Sequence, residues 1–105
     1  MSGSNVNPVR GETSLTVGGR RVLLRPTFEA LVAAEEELGP LFGLVERAGQ
    51  GELRLTEIAA LFWHCSPATE RPSREEIGAA VLEAGLAEAS RPLKALLGEI
   101  LRGAA

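Results

Sequence analysis

The sequence predicts a mainly helical α+β domain in which an N-terminal β-hairpin packs on four to five short helices. Two short runs of alternating apolar and polar residues, separated by two glycines, predict the hairpin over residues 13–25. Apolar residues at helical spacing, interrupted by Gly and Pro, predict the helical part over residues 27–102. The length of 105 residues fits one domain. We therefore predict one domain over residues 12–105, preceded by a flexible arm over residues 1–11.

The composition is typical of a soluble globular protein, with 45% hydrophobic and 24% charged residues. The formal net charge of -3 gives no overall attraction to nucleic acid or to anionic membranes. The lone cysteine, Cys65, has no internal disulfide partner, which fits a reducing cytosol. The N-terminus does not resemble a secretory signal, and no apolar run reaches the ~20 residues that span a bilayer. These features predict a cytoplasmic protein without a membrane partner.

In the predicted hairpin, Leu15 and Val17 share one face with Val22 and Leu24. Gly18-Gly19 can adopt the positive φ angles of a tight two-residue turn. Because a lone hairpin is marginally stable in water, we expect this apolar face to lie against the helices.

The first two helices are delimited by clear start and stop signals. Pro26 ends the second strand, and Thr27 is the predicted N-cap of a helix that begins at Phe28. Gly39 followed by Pro40 ends that helix. A second short helix is predicted over residues 41–48.

The third and fourth helices follow a brief extended connector that contains Leu53 and Leu55. Thr56 is the predicted N-cap of the third helix. Ser73 and Glu76 have the spacing of a capping box at the start of the fourth. The predicted buried stripe of the third helix consists of Ile58, Leu61, Phe62 and Cys65.

The last segment, residues 86–102, contains Pro92, so it is predicted to form one kinked helix or two pieces, and we favour a break around Ser90, since proline disrupts a helix interior. After the break, the predicted apolar stripe consists of Leu93, Leu96, Leu97, Ile100 and Leu101.

The sequence does not indicate an enzyme. His64 and Cys65 are neighbours on a helix and point about 100° apart, which suits neither a nucleophile pair nor a metal site. The carboxylates of residues 35–37 also spread over different directions and are expected to form a solvated acidic face. Phosphate-binding and hydrolase motifs do not occur. We therefore expect no catalytic residues, cofactor or metal.

Four apolar residues are candidates for a partner-binding patch. Phe42 lies off the apolar stripe of the second helix, and Trp63 points away from the core if Phe62 faces it. Leu53 and Leu55 are close to them in sequence. The alternative for Trp63 is that a neighbouring helix covers its ring.

Three arginines give the hairpin a candidate basic edge: Arg20, Arg21 and Arg25. A basic β-ribbon can bind phosphate backbones, so a small nucleic-acid-binding regulator is one alternative function. Ordinary surface charge is the other explanation, and an acidic chain makes nucleic acid an improbable partner.

The segment "NPVRGETSLTVGGRRVLLRPTFEALVAAEEELG" resembles the opening of the tail-assembly proteins of gene transfer agents and related phages. The resemblance rests on an N-x-x-R-G-E lead before the hairpin and on L-R-P-T-F-x-A-L at the first helix. The segments "GELRLTEIAALFW", "REEIGAAVLEAGL" and "PLKALLGEIL" extend it over nearly all of the chain after Asn7. The matching residues of the opening are Asn7, Arg10, Gly11, Glu12, Leu24, Arg25, Pro26, Thr27, Phe28, Ala30, Leu31 and Glu35.

The resemblance implies a non-enzymatic role in building a phage-like tail. It suggests a tail assembly chaperone that binds the tape-measure protein while tube subunits polymerise. A structural tail tube component that remains in the particle is the alternative. The implied partners are the tape-measure protein and the tail tube protein, and self-association is left open. The implied location is the cytoplasm of a bacterial host, with association to the virion under the structural alternative.

Overall fold

The computed structural model describes residues 12–102, and in this range a β-hairpin precedes five α-helices. The predicted α+β fold class is confirmed. The predicted flexible arm, residues 1–11, lies outside the described residues. The elements are β1 (Thr13–Val17), β2 (Arg20–Leu24), α1 (Phe28–Leu38), α2 (Leu41–Gly49), α3 (Leu55–Cys65), α4 (Arg74–Ala84) and α5 (Leu86–Arg102).

The hairpin forms because its turn and its apolar alternation agree. Gly18 and Gly19 have φ angles of 58° and 80°, the left-handed values that a two-residue hairpin turn requires. In the resulting antiparallel register, Leu15 lies opposite Val22. The predicted inward residues of both strands are buried, and Leu24 is completely inaccessible to solvent. The hairpin packs on α4 and α5 and so closes the core.

Helix α1 begins and ends as predicted. The Thr27 hydroxyl accepts a hydrogen bond of 3.1 Å from the Ala30 N–H, and Gly39 ends the helix with a φ of 90°. Phe28, however, is 82% exposed. It is the first helical residue, and because side chains tilt toward the N-terminus of a helix, Phe28 lies beyond the edge of the core.

Helix α3 starts earlier than predicted. Leu55 is its first residue, not part of the extended connector, and Arg54 occupies the N-cap position assigned to Thr56. The reason is Glu57, whose carboxylate accepts the Arg54 backbone N–H at 2.9 Å. A Glu at the third helical position is the acidic member of a capping box, and this fixes the N-cap at Arg54, two residues upstream of Thr56.

The hydrophobic core is centred on α3, and its predicted buried stripe is confirmed. Phe62 has no solvent exposure and Leu61 only 1%. Helices α1 and α4 pack on α3, while α5 closes the core against α4 and the hairpin. The largest fully buried side chains are Phe62, Leu24, Leu44, Leu61, Ile77, Leu96 and Val81.

The predicted break around Ser90 is wrong, since α5 is one helix of 17 residues with Pro92 inside it. Ala89, Pro92 and Leu96 are all buried. Tertiary packing therefore holds the segments on both sides of the proline against the core. The stabilisation from this packing outweighs the loss of the backbone hydrogen bond that proline removes.

We predict that Ser73→Ala destabilises the fold by about 1 kcal/mol, the usual value of a lost N-cap. The Ser73 hydroxyl accepts the Glu76 N–H at 3.0 Å, and the Glu76 carboxylate accepts the Ser73 N–H at 2.8 Å, which confirms the predicted capping box. Urea denaturation would measure the change.

Ser90→Ala is the matched control, because the Ser90 hydroxyl only donates to the Ala87 carbonyl within α5. We expect this variant to be neutral. Equal losses in the two variants would contradict a specific role for the Ser73 cap.

Candidate partner-binding surface

The four candidate partner-binding residues do not form one patch. Phe42 projects from α2 and is 73% exposed, and Leu55 at the start of α3 is 37% exposed. Leu53 is partly buried against the core. Leu53 lines a depression beside α5, whereas Leu55 lines another one between α3 and α4.

Trp63 is the centre of a polar cluster on one side of the fold. Its ring is partly buried, and the guanidinium groups of Arg71 and Arg74 lie over it at 4.2 and 4.3 Å from the ring centroid. The neighbouring His64 ring contacts it edge-on, with the centroids 5.0 Å apart. These arginines cover much of the ring, so the structure favours the alternative in which Trp63 is covered by neighbouring elements.

Glu37 connects this cluster to α1. Its carboxylate accepts two hydrogen bonds from the Arg74 guanidinium, at 2.6 and 2.8 Å, and lies 2.8 Å from His64 Nε2. The hydrogen bonds from Arg74, followed by the contact with His64, lower the pKa of Glu37 from 4.5 to about 2. Glu37 is therefore a structural ion-pair partner that joins α1, α3 and α4, rather than part of a merely solvated acidic face.

The candidate basic edge is divided between the two ends of β2. Arg20 and Arg21 are exposed next to the turn, and Arg20 lines a depression against α4 that also contains Glu76 and Glu83. Arg25 lies at the other end, with its Nε 3.2 Å from the buried Glu12 carboxylate. The three arginines thus do not line up along one edge.

A polar cleft of about 330 Å³ lies where the hairpin meets the end of α3. Its basic side chains already make contacts: Arg25 pairs with Glu12, His64 Nε2 lies 2.8 Å from the Glu37 carboxylate, and Arg71 donates to the Ser66 carbonyl at 3.1 Å. These contacts engage the basic side chains of the cleft, although the buried Nε of Arg71 has no hydrogen-bond acceptor among the described residues.

Cys65 also lines that cleft but has only 3% exposure. Burial raises the pKa of its thiol to about 12. The thiol is therefore protonated at neutral pH and unsuited to nucleophilic attack. Within residues 12–102, no group of three or more His, Cys, Asp or Glu side chains is placed to hold a metal ion.

An open apolar groove runs between α2 and α5. We call it the α2–α5 groove; it consists of two adjoining depressions of about 200 and 410 Å³ that share Ala48, Ser90 and Leu93. Leu53 is the one candidate residue that lines it. Its main apolar lining residues are Val45, Ala48, Leu53, Leu93, Leu97 and Leu101.

Sequence reasoning missed this groove, although the spacing of the leucines contained a signal. Leu86, Leu93, Leu97 and Leu101 recur at helical intervals and line the groove from α5. The predicted break around Ser90 separated Leu86 from the others, so the stripe was not continued across the whole helix.

We predict that Glu37→Gln destabilises the fold at neutral pH by no more than about 1 kcal/mol, because its pair with Arg74 is well exposed to solvent. A lowered carboxyl pKa stabilises the fold above the unfolded value, and that stabilisation is lost as the pH falls. The difference between the wild type and the variant should therefore shrink as the pH falls from 4.5 toward about 2.

Urea denaturation at several pH values would test this expectation. Glu36→Gln is the matched control, since Glu36 is an exposed neighbour on the same helix. A pH-independent difference between the wild type and Glu37→Gln would contradict the assigned ion pair.

We predict that Trp63→Ala destabilises the fold by about 2 kcal/mol, since it removes a partly buried ring and two cation–π contacts. It also uncovers Arg71, whose buried Nε has no hydrogen-bond acceptor in the described part of the chain. Thermal and urea unfolding would measure this, with Trp63→Phe expected to retain most of the stability. Unchanged stability in Trp63→Ala would contradict this structural role and indicate that the ring is available to contact a partner.

No helix within residues 12–102 has the length and apolar character needed to cross a membrane.

Comparison with known proteins identifies the family. No curated protein and no solved structure gives a significant match to the chain. Residues 10–103 match the family described as "Phage tail tube protein, GTA-gp10". The match confirms the resemblance to gene transfer agent and phage tail proteins, with a role in tail structure or assembly. The chain belongs to the GTA-gp10 phage tail tube protein family.

Proposed function

We propose that this protein is a tail assembly chaperone, which binds another tail component through apolar helical surface and releases it as the tail forms. The observation that carries the proposal is the α2–α5 groove in a member of a phage tail family. Leu86 and Leu101, on the α5 side of the groove, are 61% and 57% exposed. Large apolar side chains that remain exposed along a groove are typical of a surface that a partner covers.

The tape-measure protein is the proposed partner. An open groove between two helices suits the apolar face of a further helix, the usual mode of helix-in-groove recognition. A chaperone must also release its partner, and a short groove buries a small area, which favours reversible binding.

We propose that the function is non-enzymatic. The buried Cys65 thiol is not a nucleophile at neutral pH, and His64 is engaged with Glu37. An active site would need convergent polar groups near a pocket. In the polar cleft at the end of α3, those groups already make structural contacts.

A structural role in the tail tube is the second candidate, because the family description itself is that of a tail tube protein. A tube requires repeated contacts between copies of the subunit. The described sheet has only two strands of five residues each, so it offers short edges for pairing between strands. This feature supports the chaperone over the tube subunit.

A co-purification experiment tests the proposal. The tagged protein would be expressed with the neighbouring tail genes, and the captured complex washed at low and high salt. We expect the tape-measure protein to be retained through the high-salt wash, because apolar contacts do not weaken with salt as ion pairs do. Recovery of nucleic acid alone, lost at high salt, would support the alternative that uses Arg20, Arg21 and Arg25.

Two exposed phenylalanines allow a matched comparison in the same experiment. Phe42 does not line the α2–α5 groove, but it is exposed one turn before the groove residue Val45, and we assign it to an extension of the binding surface along α2. Phe42→Ala should therefore reduce retention of the tape-measure protein several-fold, as truncating an interfacial aromatic commonly does. Phe28→Ala, at the start of α1, should not. Equal losses in both variants would contradict the assignment of Phe42 to the surface. Stoichiometric amounts of the protein in purified particles would favour the structural role instead.

A further inference from the structure

The α2–α5 groove presents a stripe of leucines on α5 that is long enough to contact one amphipathic helix. Its leucines on α5 span from Leu86 to Leu101, which is about 22 Å along the axis, or roughly four turns. The floor contains small or medium side chains such as Ala48 and Leu93. A helix of similar length could therefore lie between α2 and α5 and cover the exposed leucines at both ends.

The charged groups that line the groove have one sign. Lys94 and Arg102 belong to its lining, and no Asp or Glu side chain is among the described lining residues. Neither cation makes an ion pair within the described part of the chain. This local basic rim occurs on a protein whose net charge is -3.

The arrangement of charge around α5 explains the basic rim. At about 100° per residue, Lys94 falls beside the leucine stripe, whereas Glu88 and Glu99 fall on the opposite flank of the helix. Arg102 folds back over Gly98, where an added Cβ would lie only 2.6 Å from its Nη2 atom. The absence of a side chain at Gly98 thus allows the Arg102 guanidinium to lie alongside the groove.

We propose that the α2–α5 groove binds an amphipathic helix of a tail component whose apolar stripe is flanked by Asp or Glu residues. This inference rests on the proposed chaperone function and specifies the chemistry of its partner. The apolar stripe covers the leucines, and the acidic flank pairs with Lys94 and Arg102. Complementary charges of this kind fix the orientation and register of the bound helix.

A second copy of this chain is the less suitable occupant. In a symmetric dimer the same patch of both subunits meets across the two-fold axis. Two α2–α5 grooves that face each other would bring Lys94 and Arg102 of both copies to the same interface. Like charges brought together in this way oppose association.

A designed peptide of about 18 residues, with leucines at i, i+4, i+7 and i+11 and flanking glutamates, is the first probe. A second peptide carries lysine in place of every glutamate. Fluorescence polarisation with the full-length protein should show roughly tenfold tighter binding of the acidic peptide than of the lysine peptide, since Lys94 and Arg102 attract the glutamates and repel the lysines. The double variant Lys94→Glu/Arg102→Glu should reverse this preference.

Matched variants separate the groove from the remaining surface. Leu101→Glu should abolish binding of the acidic peptide, because Leu101 lines the groove. Leu82→Glu is the matched control and should not affect binding: Leu82 is similarly exposed, at 63%, but lies on α4. Arg21→Glu is the charge control, and it should leave the preference for the acidic peptide unchanged, because Arg21 lies exposed on the hairpin. Undetectable binding, equal binding of both peptides, or equal losses in the Leu101 and Leu82 variants would overturn the proposal.

The co-purification experiment distinguishes this proposal from the function on which it rests. If the wild type retains the tape-measure protein and Leu101→Glu retains it equally well, the groove assignment is wrong and the chaperone function stands. If the wild type retains no tail component, the chaperone function itself fails.

Discussion

The burial of helix α3 is the constraint on which the other elements depend. Six of its eleven residues are buried, so it must be covered from several sides. Helices α1 and α4 pack directly on it. The hairpin is joined to its C-terminus by a backbone hydrogen bond of 2.8 Å from the Arg25 N–H to the Cys65 carbonyl. That bond uses one of the carbonyls that a helix end leaves without an intrahelical partner, and it places β2 beside α3.

Polar contacts then reinforce this arrangement on one side of the molecule more than on the other. Glu37 joins α1 to α3 and α4, and Glu12 pairs with Arg25 where the chain leaves β2. Helix α2 is tied to α3 by the Arg47–Glu57 ion pair, at 2.8 Å. No ion pair joins α2 to α5 among the described residues. Between these two helices the contact is apolar and incomplete, and the groove lies there.

This asymmetry relates the fold to the proposed function. Ion pairs and cation–π contacts with defined geometry hold the α1, α3 and α4 side together. The α2–α5 side instead presents leucines beside a basic rim, which suits a helix that binds and later leaves. Membership in a phage tail family supplies the biological setting, and the groove is the proposed means of binding a tail component within it.

The local elements could be predicted from the sequence alone, because their signals act over a few residues. Gly18-Gly19 specified the hairpin turn, Thr27 and Ser73 specified two helix starts, and the spacing of apolar residues specified the buried stripe of α3. The opening motif also predicted the family. It contains both Glu12 and Arg25, although their pairing is a property of the fold.

How these elements cover one another could not be predicted in the same way, because it depends on tertiary packing. Pro92 favoured a helix break in the sequence, but α5 is continuous because the segments on both sides of the proline are buried. The sequence left open whether Trp63 is an exposed anchor or is covered by a neighbouring helix, and two arginines that follow it in the chain lie over its ring. The groove has the same origin, since it exists only where α2 and α5 pack incompletely. Helical spacing specifies which residues share a face, but the depth of their burial depends on neighbours that are distant in sequence.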